Sequence, residues 1–583
     1  MLRKFLIIVC SLMLLCACAP GENTTGSTGL PAESGTSEVG VMRSSQVNQT
    51  AAALETSLPP SPEVFQGLPL PTGQLPLFTA SGTCTGCHSG QRDQAGEDVA
   101  IDSAWRASML ANASRDPYWL ATVRSEVNQA SALSAVIQKK CATCHLPMAS
   151  VTVAAQGENV TIVDEGLLST NHPLQAFAKD GISCNVCHQI ESANFSQPES
   201  MSGGFLIDTK LPAGERLSYG PYEVSQDLAK MMQSVSGFIP VQGLHLSQSE
   251  MCATCHDLYT PYLDEKGEVA GEFPEQLIYS EWQNSSFNGQ KSCADCHMPV
   301  VQGDIQLSLT GGPQRSPYNQ HVFVGGNAYM LQVLQQNGEN IGVTAAPGHF
   351  AAAISRTNDQ IAKQSASLTI GSASLQDGWI TADISIQNLV GHKFPGGYPS
   401  RRAWLHIRIL DSAGQVVFES GQPQANGAIA GNDNDLDAAY YEPHYTELQT
   451  SDQVQIYEAI MFNSQDQVTT ALLRAARFAK DNRLLPDGFM LDTEKAELLP
   501  QGAAAQDADF LAGSDTLLLN IDLGQATGPY TLQVELLYQS IAYRWAENLR
   551  TQPGVEIAAF NEYYISIPNQ PLLAANAEVT VSP

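Results

Sequence analysis

The sequence predicts a multidomain protein: a mainly helical and irregular segment is followed by a β-sandwich-like domain with a helical insertion. Three observations carry this expectation. Residues 76–355 hold five short cysteine–histidine clusters and little strand-like alternation. After Gln364 the pattern switches to period-two alternation of apolar and polar residues. Before about residue 75 neither period is present. A chain of 583 residues is long enough for two or three folded units.

From the N-terminus, Arg3 and Lys4 precede the apolar run Phe5–Leu15, which is too short to span a bilayer. Residues 1–18 are expected to be a lipoprotein-type signal peptide. Leu15-Cys16-Ala17-Cys18 resembles a lipobox, with Cys18 as the lipidated residue; Cys16 follows Leu15, where a small residue is expected. Ordinary cleavage near Ala19 is the alternative. Neither Ala19 nor Pro20 is the aspartate associated with retention at the inner membrane, so the resemblance implies an exported, outer-membrane lipoprotein facing the periplasm or the cell surface. Residues 19–75 are rich in Gly, Ser, Thr, Pro and Glu and read as a flexible tether. Its ~55 residues give a reach of roughly 40 Å.

Ten cysteines beyond the signal fall into five pairs, each followed at once by histidine: CTGCH (84–88), CATCH (141–145), CNVCH (184–188), CATCH (252–256) and CADCH (293–297). With only 12 histidines in the chain, five such coincidences are not chance. Zinc has no use for a fixed adjacent histidine, and four-ligand sites leave five pairs odd by one. A thioredoxin-like motif occurs once, beside a βαβ pattern. Repeated short CxxC disulfides are a poor staple for a large domain. Covalent attachment of haem c explains every feature: the two thiols add across the porphyrin vinyl groups, and the next residue turns its imidazole to the iron. Cys84, Cys87, Cys141, Cys144, Cys184, Cys187, Cys252, Cys255, Cys293 and Cys296 are therefore the expected attachment sites. His88, His145, His188, His256 and His297 are the expected proximal ligands of five haems, making 76–355 a five-haem cytochrome c domain.

Each iron has a sixth position. His172, His245, His321, His349 and His392 stand in loop-like contexts with glycine or proline close by and are candidate distal ligands. Met109, Met148 and Met298 compete with them, although Met148 and Met298, so close to their own motifs, are expected to pack beside the porphyrin. His406 lies in the alternating stretch WLHIRIL and reads as a core or surface residue. His444, in EPHY (442–445), reads as part of a surface loop, with a recognition patch as the functional alternative.

Between the motifs, residues 103–140 have helical apolar spacing with a break at Pro117, and PEQLIYSEWQNSSF reads as a helix start. In the β domain, 365–583, the alternating runs are SLTIGS, WITADISIQN, AWLHIRILD, QVVFES, DTLLLNIDL and YTLQVELLYQ. The stretch TTALLRAARFAKDN (469–482) is the expected helical insertion.

The stretch NLVGHKFPGGYPSRRAWL (388–405), with CATCHDLYT (252–260), EWQNSSFNGQKSCADCHMP (281–299), QHVFVGGN (320–327), QVQIYE (453–458) and KDNRLLPDGF (480–489), resembles exported bacterial multihaem c-type cytochromes with a C-terminal β domain. The resemblance implies electron transfer between redox protein partners, with His321 and His392 as distal ligands and His392 reaching from the β domain into the haem domain. The competing class is an oxidoreductase with one open haem, acting on a small nitrogen, sulfur or peroxide species. Resemblance to cytochrome c nitrite reductase would bring a CxxCK motif, and none occurs. A formal charge of −30 argues against nucleic acid and against a polybasic membrane surface. It suits a soluble acidic surface, or docking of a basic redox partner.

Replacing Cys18 with Ser is expected to turn a detergent-requiring membrane fraction into soluble exported or unprocessed protein. Wild-type protein that is already soluble after export would contradict lipidation.

Overall fold

The computed structural model describes residues 65–524 and 528–583. The signal peptide, Cys18 and most of the expected tether lie outside the described residues. Residues 65–75, expected to be tether, are packed instead. Phe65 lies against an apolar core, and the Leu68 N–H donates to the Val343 carbonyl (2.9 Å). No helix among the described residues is long and apolar enough to cross a membrane.

The first half is built from short helices and loops. Each CxxCH motif sits on a helix or helical turn: Ser81–Thr85, Ser134–His145, Cys184–Cys187, Ser249–His256 and Cys293–His297. The helical spacing over 103–140 resolves into Ile101–Arg106, α1 (Pro117–Gln129) and α2 (Ser134–His145). Pro117 starts α1 rather than breaking a helix, because its missing N–H costs nothing at the first position. Asp116 caps α1 by accepting from the N–H groups of Tyr118 (2.8 Å) and Trp119 (3.3 Å). A hairpin of β1 (Asp257–Leu263) and β2 (Val269–Leu277) follows the fourth motif, so PEQL of the expected helix start belongs to a strand and the helix begins at Ile278. Helices α3 (Ala328–Gln336) and α4 (Pro347–Gln360) complete this half.

The second half has two sheets. One contains β3 (Ala366–Gln376), β4 (Trp379–Asn388), a short β7 (Glu447–Leu448) and β11 (Ser514–Asp522), in the order β7-β11-β4-β3. The other runs β9 (Val468–Thr469), β8 (Ile456–Phe462), β5 (Arg402–Leu410), β12 (Tyr530–Gln539), β13 (Leu572–Val581). In it β6 (Val416–Ser420) also pairs with β5, and β10 (Arg477–Asp481) with β8. Alternate residues of both sheets share one core: Ile380, Ile384 and Leu517 from one, Leu405, Ile407 and Val534 from the other.

The expected helical insertion at 469–482 is not a helix. Residues 472–474 make one 3₁₀ turn, and β10 pairs antiparallel with β8, Lys480 opposite Ile460. Ala, Leu and Arg favour helix intrinsically, yet the propensity is worth only tenths of a kcal/mol per residue, and ladder bonds plus buried Lys480 and Asp481 outweigh it.

Two helices that the alternating pattern did not reveal, α5 (Tyr543–Arg550) and α6 (Val555–Ser566), lie between β12 and β13 and fold back onto the first half. Tyr118 and Ala121 of α1, Tyr329 and Val333 of α3, Phe350 of α4, Trp545 of α5 and Phe560 of α6 form one core. Arg124 clamps Glu556 (2.7 Å), and Glu126 accepts from the Leu472 N–H (2.8 Å). The two expected domains therefore interlock, and residues 64–583 form one compact unit.

Phe560→Ala is expected to cost about 3–5 kcal/mol, the range for emptying a fully buried aromatic site. Because both halves share this core, melting followed by far-UV circular dichroism and by the haem absorption band is expected to shift together. A shift of one signal alone would show that the halves fold independently.

Candidate haem-binding site

A continuous cavity of about 1290 Å³ runs through the first half, and all ten motif cysteines and all five motif histidines line it. None of these cysteines forms a disulfide. Thiols from different motifs meet across it: Cys84 reaches Cys184, Cys144 reaches Cys255, and Cys252 reaches Cys293. Cys187 lies within electrostatic reach of Cys255, joining the first and third motifs to the other three. The five motifs are consequently neighbours in one connected series. Burial pushes Cys141 and Cys187 up to about 12, so both stay protonated thiols at neutral pH.

The motif imidazoles share a hydrogen-bond pattern. His88 Nδ1 pairs with the Leu307 carbonyl (3.1 Å), His145 with Ala113 (3.1 Å), His188 with Tyr219 (2.6 Å) and His297 with Val324 (2.5 Å). His256 instead reaches the Gln276 side chain. A carbonyl can only accept, so each of the four Nδ1 atoms carries the proton and leaves the Nε2 lone pair for a metal. Burial lowers His145 and His256 to about 4, keeping the rings neutral as ligation requires.

Two further histidines line the cavity with the same arrangement: His321 Nδ1 pairs with the Asn319 carbonyl (3.2 Å) and His392 Nδ1 with that of Lys393 (2.9 Å). Burial lowers both to about 4. The His297 and His392 rings lie 6.5 Å apart and within 10° of parallel. Two metal–nitrogen bonds of about 2 Å plus the radii of two five-membered rings give a separation of about 6 Å, so the pair fits opposite faces of one iron. His321 lies beside His188 and His88. The donor set fits haem c.

Three expected distal ligands do not line this cavity. His245 puts Nε2 against the Ile190 carbonyl (2.9 Å) and packs edge-on to Tyr219, which occupies the nitrogen an iron would need. His172 Nδ1 accepts the Leu174 N–H (3.1 Å) in its own turn. His349 sits in the first turn of α4, away from the cavity wall, with a buried Nδ1 that has no partner. Met148 is buried in a core with Leu77, Phe78 and Val186, whereas Met109 and Met298 line the cavity. His406 is held between Glu535 and Glu419 (2.9 Å each) on the sheet. His444 is buried rather than on a surface loop, bonded to Asp507 (2.9 Å).

The scaffold behind His392 was not visible in the sequence. Lys393 Nζ meets Asp481 (2.7 Å), Arg483 grips Asp481 with two bonds of 2.8 Å and also Glu281 (3.1 Å), and Glu281 accepts the Lys393 N–H (3.1 Å). Asn388 Nδ2 donates to the His392 carbonyl (2.8 Å). A Cβ on Gly396 would lie 2.6 Å from His392 Nδ1, so only glycine leaves room for the ring. Charged residues inside the resembling stretches KDNR and EWQ were the available signal.

No family model matches the chain, and no curated protein matches it. Among solved structures, a penta-heme cytochrome c552 from Thermochromatium tepidum is similar with a TM-score of 0.47 and 16% identity, over 86% of this chain and 98% of that one.

Asp481→Asn leaves the fully buried Lys393 and Arg483 short of a countercharge and is expected to cost about 3–5 kcal/mol. Burial alone would raise the Asp481 carboxyl, but Arg483 and Lys393 hold it well below the usual carboxylate range. A depressed carboxyl stabilises the fold above its unfolded pKa, and that contribution fades only as pH falls through the folded value. The penalty of the variant, read from thermal melts, should therefore shrink only in strongly acidic buffer.

Proposed function

We propose that the protein carries electrons through five covalently bound haems c, one on each CxxCH motif. The carrying observation is that all five motifs wall one cavity, four of their imidazoles with Nδ1 tied to a backbone carbonyl. Haem iron supplies one-electron redox chemistry, its potential set by axial ligand, burial and nearby hydrogen bonds. The chain contributes the rest. Ten thiols fix the positions of the groups. Carbonyls at Leu307, Ala113, Tyr219 and Val324 fix the tautomer and direction of four proximal rings. His297 and His392 would hold one iron between them, and His321 would hold one near His188 and His88. The connected thiol neighbours make a continuous route.

Export, a lipid anchor at Cys18 and a position at the outer membrane, periplasmic or exposed at the surface, complete the proposal. Redox proteins are its partners, and the charge of −30 favours a basic docking face on them.

His392→Met is expected to keep all five haems, since attachment needs only the cysteines and the proximal ring. One of five potentials in a spectroelectrochemical titration should rise, because His/Met irons lie above bis-His ones. A folded variant with an unchanged titration would overturn the ligand role of His392.

A further inference from the structure

Three carboxyls line the cavity wall: Asp116, Glu126 and Glu275. Asp116 has an ordinary reason to be there, since it caps α1. Glu126 of α1 and Glu275 of β2 gather at the second motif instead. Glu275 lies within electrostatic reach of Cys141 and Cys144, and Glu126 within reach of Cys141. The Glu275 charge also acts on Glu126, so the two acids are neighbours. Both are buried, at 5% and 8% exposure.

What surrounds them does not neutralise them. Glu126 accepts from the Leu472 and Leu473 N–H groups (2.8 and 3.3 Å), and Glu275 from the Thr260 hydroxyl of β1 (2.6 Å). Two cations act on them only from a distance. Lys140 of α2, on the side of Glu275, donates to the Ser202 carbonyl (3.1 Å), and Arg474, on the side of Glu126, donates to the Asp264 carbonyl (2.6 Å). The other titratable neighbours are the motif thiols, uncharged once they are thioethers, and Tyr398, whose buried hydroxyl has no hydrogen-bond partner. Burial without a close countercharge raises both carboxyls to about 7. A glutamine oxygen would accept the same bonds, so packing alone does not call for an acid at either position.

We infer that Glu126 and Glu275 form a proton-binding site coupled to the haem on the second motif: one proton enters from solvent when that haem accepts one electron from a redox partner. Reduction removes one positive charge from the iron, and a carboxylate nearby loses the attraction that favoured its ionised form. The pair therefore binds its proton more tightly in the reduced protein. Ferric haem with a carboxylate becomes ferrous haem with a carboxylic acid, and the summed charge of the two groups does not change. The inference rests on the five-haem reading and adds proton uptake to electron carriage.

The test is a spectroelectrochemical titration of the holoprotein across a pH series, with haem counted separately by denatured mass. One potential is expected to fall as pH rises through about 7 and to level off in alkali, where proton uptake no longer assists reduction. In the double variant Glu126→Gln, Glu275→Gln, that fall is expected to be lost, with the alkaline potential raised to the acid value. Redox difference infrared spectra read the same event directly: a protonated carboxyl band should grow on reduction of the wild type near neutral pH and be absent from the double variant. Glu275→Gln alone carries both comparisons should the double variant lose haem. Five haems with potentials indifferent to pH would overturn the inference and leave electron carriage standing. So would a pH dependence that survives the substitutions, which would belong to another acid such as a porphyrin propionate. Fewer than five haems would instead defeat the reading beneath it.

Discussion

The protein's first half cannot close its own core. Its helices and loops converge on a cavity that ten cysteines and seven histidines line and no side chain fills. Interiors pack to the density of organic crystals, so a wall of this kind makes sense only around a large apolar group. Regular structure is sparse there for the same reason: on the proposed reading the chain would wrap porphyrins rather than pack helix on helix. The Nδ1–carbonyl bonds are the smallest expression of this constraint, because they spend a backbone acceptor to aim each lone pair inward.

The β half is less a separate domain than a lock. Its loop at 388–400 brings His392 to within one iron's span of His297, and Lys393, Asp481, Arg483 and Glu281 hold that loop in place. Buried ion pairs add little net stability, but removing one partner strands the rest. Their value here is geometric. Helices α5 and α6 close the other side against α1, so the first half is gripped at two places.

Much of this was legible. Strand 379–388 alternates because one face meets a core and the other does not, whereas 530–539 alternates only as far as Leu536, beyond which Leu537, Tyr538 and Gln539 are all buried. That the five motifs belong together was legible in their repeated spacing, and the structure gathers all five on one cavity. Distal ligands were not, because glycine or proline near a histidine marks a turn, not the direction of a ring. His245 meets that criterion yet spends its Nε2 on Ile190. The segment 469–482 misled for a different reason: its helix-favouring residues are recruited as a strand by β8, a partner that adjacent sequence does not show. Helices α5 and α6 sit beyond a strand in a region where alternation dominates, and only their packing on α1 explains them.

The central claim is that the cavity belongs to five covalently held haems. Intact mass measurement of the denatured holoprotein tests it most directly. The account predicts the processed chain plus the mass of five haems, retained after unfolding because the thioether bonds are covalent. A chain carrying four or fewer after competent maturation, or one whose haem is lost on denaturation, would contradict it.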